Sequence, residues 1–263
     1  SLGHERPQLA AVVRGRGWLG RAGGGPDGAA DELAKSNATT RRALADGWLR
    51  DARMEHASVA SFARFVGDLV GLGAPAELVR DAGNALLDEV EHASLCFALA
   101  SRFAGEELAP AAMPAASVAQ ARNFQTIVHD ALTEGCLGET AAAYVATLRL
   151  GAARDPQARR ALERIASDEA RHAELAFRFV AWALQQRRAE VELVIKEALA
   201  EMSVKNPVCT LESDVVERAA FEQMGLFAES DERAATKLAF EQIARPALEL
   251  LCGLAADQLG PSA

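Results

Sequence analysis

Hydrophobic positions along this chain fall into long helix-period runs punctuated by glycine and proline, after an opening stretch with no such order. Residues 1–38 hold Gly15, Gly17, Gly20, Gly23, Gly24, Gly25 and Pro26 with little periodicity. They predict a loosely ordered arm with a short ordered piece around Trp18. From Thr39 a helical pattern runs to about Leu72, where Gly71-Leu72-Gly73-Ala74-Pro75 stops it. A second covers Ala76 to about Phe103. The stretch from Gly105 to Ser117, with Pro110 and Pro114, reads as a crossover connection. A third helix is predicted from Val118 to Leu150, closed by Gly151 and Asp155-Pro156, and a fourth from Gln157 to Gln186. Three weaker helical stretches follow near 189–203, 211–225 and 231–258, and Pro246 predicts a kink in the last. Val and Ile are scattered, and no alternating run predicts a strand.

The first four helices repeat as two pairs, each a long helix, a Gly/Pro turn and a second long helix. Two short connections joined by one long one predict a four-helix bundle with a single long crossover. The expected organisation is an arm over 1–38, the bundle over 39–187, and additional C-terminal helices over 188–263. Those last helices pack on the bundle or build a dimer surface.

Composition supports the all-α reading: half the residues are hydrophobic while aromatics are only 5%, and alanine is abundant, which suits closely packed helices. The net charge of −9 leaves no electrostatic footprint for nucleic acid. No 18-residue apolar run predicts a membrane span. Cys96, Cys136, Cys209 and Cys252 show no CxxC spacing, so neither a disulfide framework nor a zinc knuckle is expected, and a reducing, cytoplasmic setting is.

Candidate chemistry sits in a repeated phrase. The second helix carries Asp88-Glu89-Val90-Glu91-His92 and the fourth carries Asp168-Glu169-Ala170-Arg171-His172. Three residues are about 300° of helix rotation, so each glutamate projects from the same face as its histidine, one turn apart. One carboxylate and one imidazole can then reach a common ion. The partner helices supply acids at matching height: Glu55 precedes Glu89 by 34 residues (89 − 55) and Glu134 precedes Glu169 by 35 (169 − 134). Glu139 is the backup ligand on the third helix, but it lies 30 residues before Glu169 (169 − 139), which breaks that symmetry. Burying such acids among alanines is prohibitive unless cations neutralise them. Mixed carboxylate and imidazole donors with open positions suit iron or manganese better than zinc.

These phrases, with Glu55 and Glu134 upstream, resemble the dinuclear iron carboxylate proteins of the ferritin-like superfamily, which include the methane monooxygenase hydroxylase, the ribonucleotide reductase small subunit and rubrerythrins. The wider wording, MEHASVASFARF, LDEVEHASLCFALASRFAG, EGCLGET and ASDEARHAELAFRFVAWAL, is also similar to bacterial ferritin-like domain proteins of unestablished function. Covering roughly residues 40–186, the resemblance implies Glu55, Glu89, His92, Glu134, Glu169 and His172 as ligands of two iron ions, with a Mn/Fe pair as the variant. It further implies that Asp88 and Asp168 each accept the outer N–H of the opposite pair's histidine. The family's arginine before the histidine is kept as Arg171 in the second phrase, whereas Glu91 stands there in the first.

Cys96, four residues after His92, falls on the metal side, where a small core side chain is the commoner role for a cysteine. Tyr144 is the only tyrosine, which argues against a stable tyrosyl radical. Gly135, Cys136, Gly138 and Ala141–Ala143 leave the third helix small, allowing either a substrate cavity or close helix approach. The expected function is an O₂-dependent diiron oxidase or oxygenase acting on a small organic substrate. Glu55 and Glu134 are the catalytic carboxylates, O₂ is the co-substrate, an external donor supplies electrons, and the assembly is a homodimer. The alternative is a ferroxidase or peroxide-scavenging, rubrerythrin-like protein.

Overall fold

The computed structural model describes residues 9–15, 18, 38–113, 122–204 and 215–253. Helix dominates them. α1 (Ala38–Leu72) ends where Gly73 adopts φ 67°, and the Ala74 N–H closes on Leu69 O at 2.9 Å. α2 (Ala76–Ala104) then runs back and ends at Gly105, whose φ of 73° lets its N–H cap Ser101 O. These are left-handed C-caps, the conformation for which glycine has no steric penalty. α1 and α2 pack along their length as one pair.

The second pair begins at Asn123, whose side chain accepts from the Thr126 N–H and caps α3 (Phe124–Asp130). Helix continues without a break through a π-helical segment, Ala131–Glu139, into α4 (Thr140–Ala152). α5 (Pro156–Val204) returns against it and merges two of the predicted stretches. Its backbone leaves helical geometry only at Arg187, next to the predicted stop at Gln186, and there the guanidinium lies 4.4 Å from the Phe124 ring centroid.

Two short strands, which the sequence does not predict, join the helices. β1 (Val12–Arg14) pairs antiparallel with β2 (Leu108–Pro110) in the crossover, Val13 opposite Ala109. Three-residue strands are too short to leave an alternating signature. After α6 (Val215–Gln223), the last helical stretch runs without a break through α7 (Glu229–Ala239), a π turn (Phe240–Ala244) and α8 (Arg245–Cys252). Pro246 lies inside it, as the sequence predicts, and the regular α-helical bonding gives way to the π turn immediately before it. The predicted helical starts at 118–121 and 211–214 and the end beyond 253 lie outside the described residues.

The C-terminal helices pack on the bundle. Trp48 Nε1 donates to Met224 O (3.2 Å), Arg149 Nε to Gly225 O (2.7 Å), and the amides of Arg154 and Asp155 both bond Gln223 O. Among the described residues no helix is long and apolar enough to cross a membrane.

The apolar interior is in two parts. One gathers Phe62, Leu69, Ala85, Leu137, Leu175 and Phe179; the other gathers Trp48, Ala52, Ala93, Cys96, Ala146 and Ile165. On each long helix the switch from one cluster to the other falls within about ten residues. In those gaps lie Glu55, Glu89, His92, Glu139, Glu169 and His172, a polar layer between two greasy ones.

Candidate metal centre

The polar layer resolves into two overlapping ligand groups, Glu55, Glu89, His92 and Glu169, and Glu89, Glu139, Glu169 and His172. Within each, one donor atom per residue lies within 4.8 Å of all the others. Glu89 and Glu169 belong to both, so they stand between the two positions. His92 Nδ1 is 3.4 Å from Glu169, 3.6 Å from Glu55 and 3.8 Å from Glu89. His172 Nδ1 is 3.1 Å from Glu89 and 3.4 Å from Glu169. The imidazole centroids are 5.9 Å apart. Glu89, His92, Glu169 and His172 are at most 2% exposed.

Outward, each ring meets the aspartate of the opposite phrase. His92 Nε2 lies 3.1 Å from Asp168 Oδ2, and His172 Nε2 3.4 Å from Asp88 Oδ2. With the proton on Nε2 directed at an aspartate, Nδ1 presents a lone pair inward. The donor atoms fit a cation by a direct test: Glu89 Oε1 and Oε2, His92 Nδ1, Glu169 Oε2 and His172 Nδ1 are all buried without a hydrogen-bond partner. Buried polar atoms left so are costly, and here they converge on common points. This cluster can hold a metal ion.

Electrostatics carry the same signature. Burial pushes the Glu89 carboxyl well above its ordinary range, and Glu169 and Glu55 beside it push the same way. Burial and then Glu169 do likewise to Glu139. For His92, burial favours the neutral ring, but the Glu169 and Glu55 carboxylates outweigh it, and its pKa is pushed up to about 11. Glu169 goes the other way: burial would raise it, yet the polar atoms of Glu139, His172 and His92 crowded beside it hold it below the usual carboxylate range. Acids raised and a base raised at one locus mean protons are standing where positive charge is wanted.

Of the residues singled out from the sequence, Glu55, Glu89, His92, Glu169 and His172 are brought together, with Asp88, Asp168 and Arg171 around them. Glu134 is not in either ligand group; Glu139 is. The π segment is the physical reason. In an α-helix five residues turn about 500°, placing Glu134 and Glu139 about 140° apart. A π-helix bonds i to i+5, so the two glutamates lie on nearly the same face, Glu139 inside and Glu134 exposed. The level-matching that favoured Glu134 assumes α-helical pitch throughout, which this segment does not keep.

Cys96 takes the core role, close enough to Glu55 and Glu89 to feel their charge. It is fully buried in the apolar cluster with Trp48, Ala52 and Phe97 and is not among the gathered donors. Burial, then the Glu55 charge, pushes its thiol well up, so it stays a neutral core side chain. His56 points off the site and packs edge-on to Trp18, ring centroids 4.9 Å apart.

Beside the Glu139 and His172 half lies a cavity of about 50 Å³. Phe62, Phe65, Ile127 and Leu175 wall it, and Glu134, Asp130 and Arg122 supply its polar side. Arg122 bonds both Asp68 and Asp130, tying the start of the second pair to α1. Gly135 also lines it, but an added Cβ there would fall 2.6 Å from Ala176 Cβ. Its smallness therefore serves close approach of the π segment to α5. The chain matches no family model, no curated protein and no solved structure.

Proposed function

We propose that this chain is a dinuclear non-haem metal oxidoreductase of the ferritin-like kind, activating O₂ to oxidise a small organic molecule. One observation carries the reading: two ligand groups share Glu89 and Glu169, and each has an imidazole Nδ1 turned inward with no other partner. Oxygen-rich donors with one nitrogen per position suit iron, or a manganese and iron pair. Such a pair, when bound, supplies the electrons and the O₂ chemistry. The chain's own contribution is to fix the imidazole tautomers through Asp88 and Asp168, to exclude water with Phe62 and Phe65, and to offer Glu55 and Glu139 as the unshared carboxylates. An external electron donor, a cytoplasmic setting and a homodimeric assembly belong to the same proposal.

The cavity favours a second reading. At about 50 Å³ it is roughly a third of a cavity that takes benzene. It fits O₂, peroxide or a few waters, which suits iron oxidation or peroxide reduction.

The test begins with metal-free protein titrated with Fe²⁺ under anaerobic conditions, where two irons per chain are expected. Glu139→Ala should lose about one equivalent, whereas Glu134→Ala should retain both. Admission of O₂ should then consume it with turnover in the presence of a reductant. Fewer than about two irons in the parent protein, or intact stoichiometry in Glu139→Ala, sinks the centre. Cage-sized assemblies on a sizing column, or turnover with peroxide alone, select the second reading.

A further inference from the structure

The two phrases differ in the residue before the histidine, Arg171 in one and Glu91 in the other. Arg171 donates to Asp168, three residues earlier on its own helix, at 2.5 Å, and across to Asp88 Oδ2 at 3.0 Å. By the pseudo-symmetry of the phrases, residue 91 should do the mirror image: bond Asp88 on its own helix and reach across to Asp168. An exposed glutamate cannot. Arg164 does it instead. Its Nε lies 2.6 Å from Asp168 Oδ2 and its Nη2 3.0 Å from Asp88 Oδ1.

Both guanidiniums thus come from α5, and each spans both aspartates. The atoms pair selectively. Asp168 Oδ2, held by Arg164, is the oxygen that accepts from His92. Asp88 Oδ2, held by Arg171, is the oxygen that accepts from His172. Two anions and two cations balance, and each arginine fixes the one oxygen that orients one imidazole.

We propose that Arg164 is a positioning residue of the metal centre, supplying from α5 the guanidinium that the first phrase lacks and thereby aiming His92. The inference rests on the metal-centre reading above. It makes the two metal positions separable: loss of Arg164 loosens the Glu55–Glu89–His92–Glu169 position and spares the one built on His172.

The experiment is Co²⁺ binding to the full chain, followed by visible absorption and equilibrium dialysis, in the parent, Arg164→Gln, Arg164→Lys, and Arg164→Gln combined with Glu91→Arg. In Arg164→Gln one of two equivalents should weaken about tenfold, the low end of what disturbing an outer partner costs, with the other nearly unchanged. Lysine, which cannot span two carboxylates as a fork, should recover little. Glu91→Arg should recover most of the loss, because residue 91 stands to Asp88 as Arg171 stands to Asp168. Recovery is the readout that a merely structural role would not move. Two equivalents at parental affinity in Arg164→Gln overturn the proposal, as does a loss that Glu91→Arg leaves untouched. A parent that binds no Co²⁺ overturns it together with the metal centre, a result distinct from both.

Discussion

His92 and the two raised acids, Glu89 and Glu139, carry a consequence for stability. A group whose pKa is raised on folding stabilises the native state fully below its unfolded value, and the benefit fades as pH climbs toward the folded one. For His92 that window runs from its ordinary 6.5 to about 11, and Glu89 and Glu139 act in the same direction from their ordinary 4.5 upward. Glu169 has the opposite sign, but its window lies below its ordinary 4.5. Metal-free protein should therefore lose stability from pH 6.5 to 9, at about 1.4 kcal/mol per pH unit for each proton held. That is a fall in Tm of roughly 3–5 °C per pH unit for each such proton in a chain of this size. Mn²⁺ replaces those protons, so the loaded protein should hold its Tm and the gap should widen with pH. Thermal unfolding in chelator and in Mn²⁺ measures it, and a metal-free Tm that is flat or rising with pH contradicts the assignment. The six-residue layer was largely legible beforehand because Glu-x-x-His has helical meaning wherever it falls. The choice between Glu134 and Glu139 was not, since it turns on a local pitch that residue spacing alone does not reveal. Arg164 was invisible too: its use depends on which oxygen of Asp168 faces His92.

At the level of elements, the long helices announced themselves through Gly73, Pro75 and Gly105, each of which ends or begins a helix where the chain predicts. The π segment left fainter marks. Thr133 and Thr140 turn their hydroxyls onto the carbonyls of His129 and Cys136, and Gly135 meets Ala176. This contact is testable. Gly135→Ala places a methyl 2.6 Å from Ala176 Cβ and must push the π segment off α5, at about 1–3 kcal/mol. Because Glu139 rides on that segment, metal affinity should fall as well. Gly138→Ala is the control: its nearest neighbour is Thr133 O at 3.4 Å and the position is exposed. It should be neutral, or stabilising by up to about 1 kcal/mol, since alanine is the better helix former. Urea unfolding midpoints separate the two. Equal effects would mean that the approach to α5 is not what requires glycine at 135.

Across the whole molecule, the polar layer divides the core, and the C-terminal segment packs against both parts, Leu226 in one and Phe240, Ala244 and Leu248 in the other. The fastening runs through a buried cation. Arg149, 7% exposed, bonds Asp51 on α1 at 2.7 Å and Gly225 O after α6, approaches Glu232 on α7 at 3.7 Å, and lies 5.0 Å from the Trp48 ring centroid. Gly225 is itself enclosed, at φ 79°, with Ala158, Leu162 and Trp48 within 3.1 Å of where a Cβ would stand. Burial alone would lower the Arg149 pKa, but Asp51 and then Glu232 more than offset it and raise it. The guanidinium is thus a permanent cation stapling the tail to both helix pairs. Arg149→Met keeps much of the volume and removes the charge. It should cost about 3 kcal/mol, the lower end for stranding a buried partner, because Arg50 still faces Asp51 at 3.4 Å and Glu232 at 3.1 Å. Adding Asp51→Asn should return part of that loss by removing the stranded charge. Loosening should also be local, with limited proteolysis near Gly225 accelerating before the bundle unfolds. A bundle that unfolds together with its tail in Arg149→Met would instead make the C-terminal helices an integral layer of the core, with Arg149 only one of several contacts holding it.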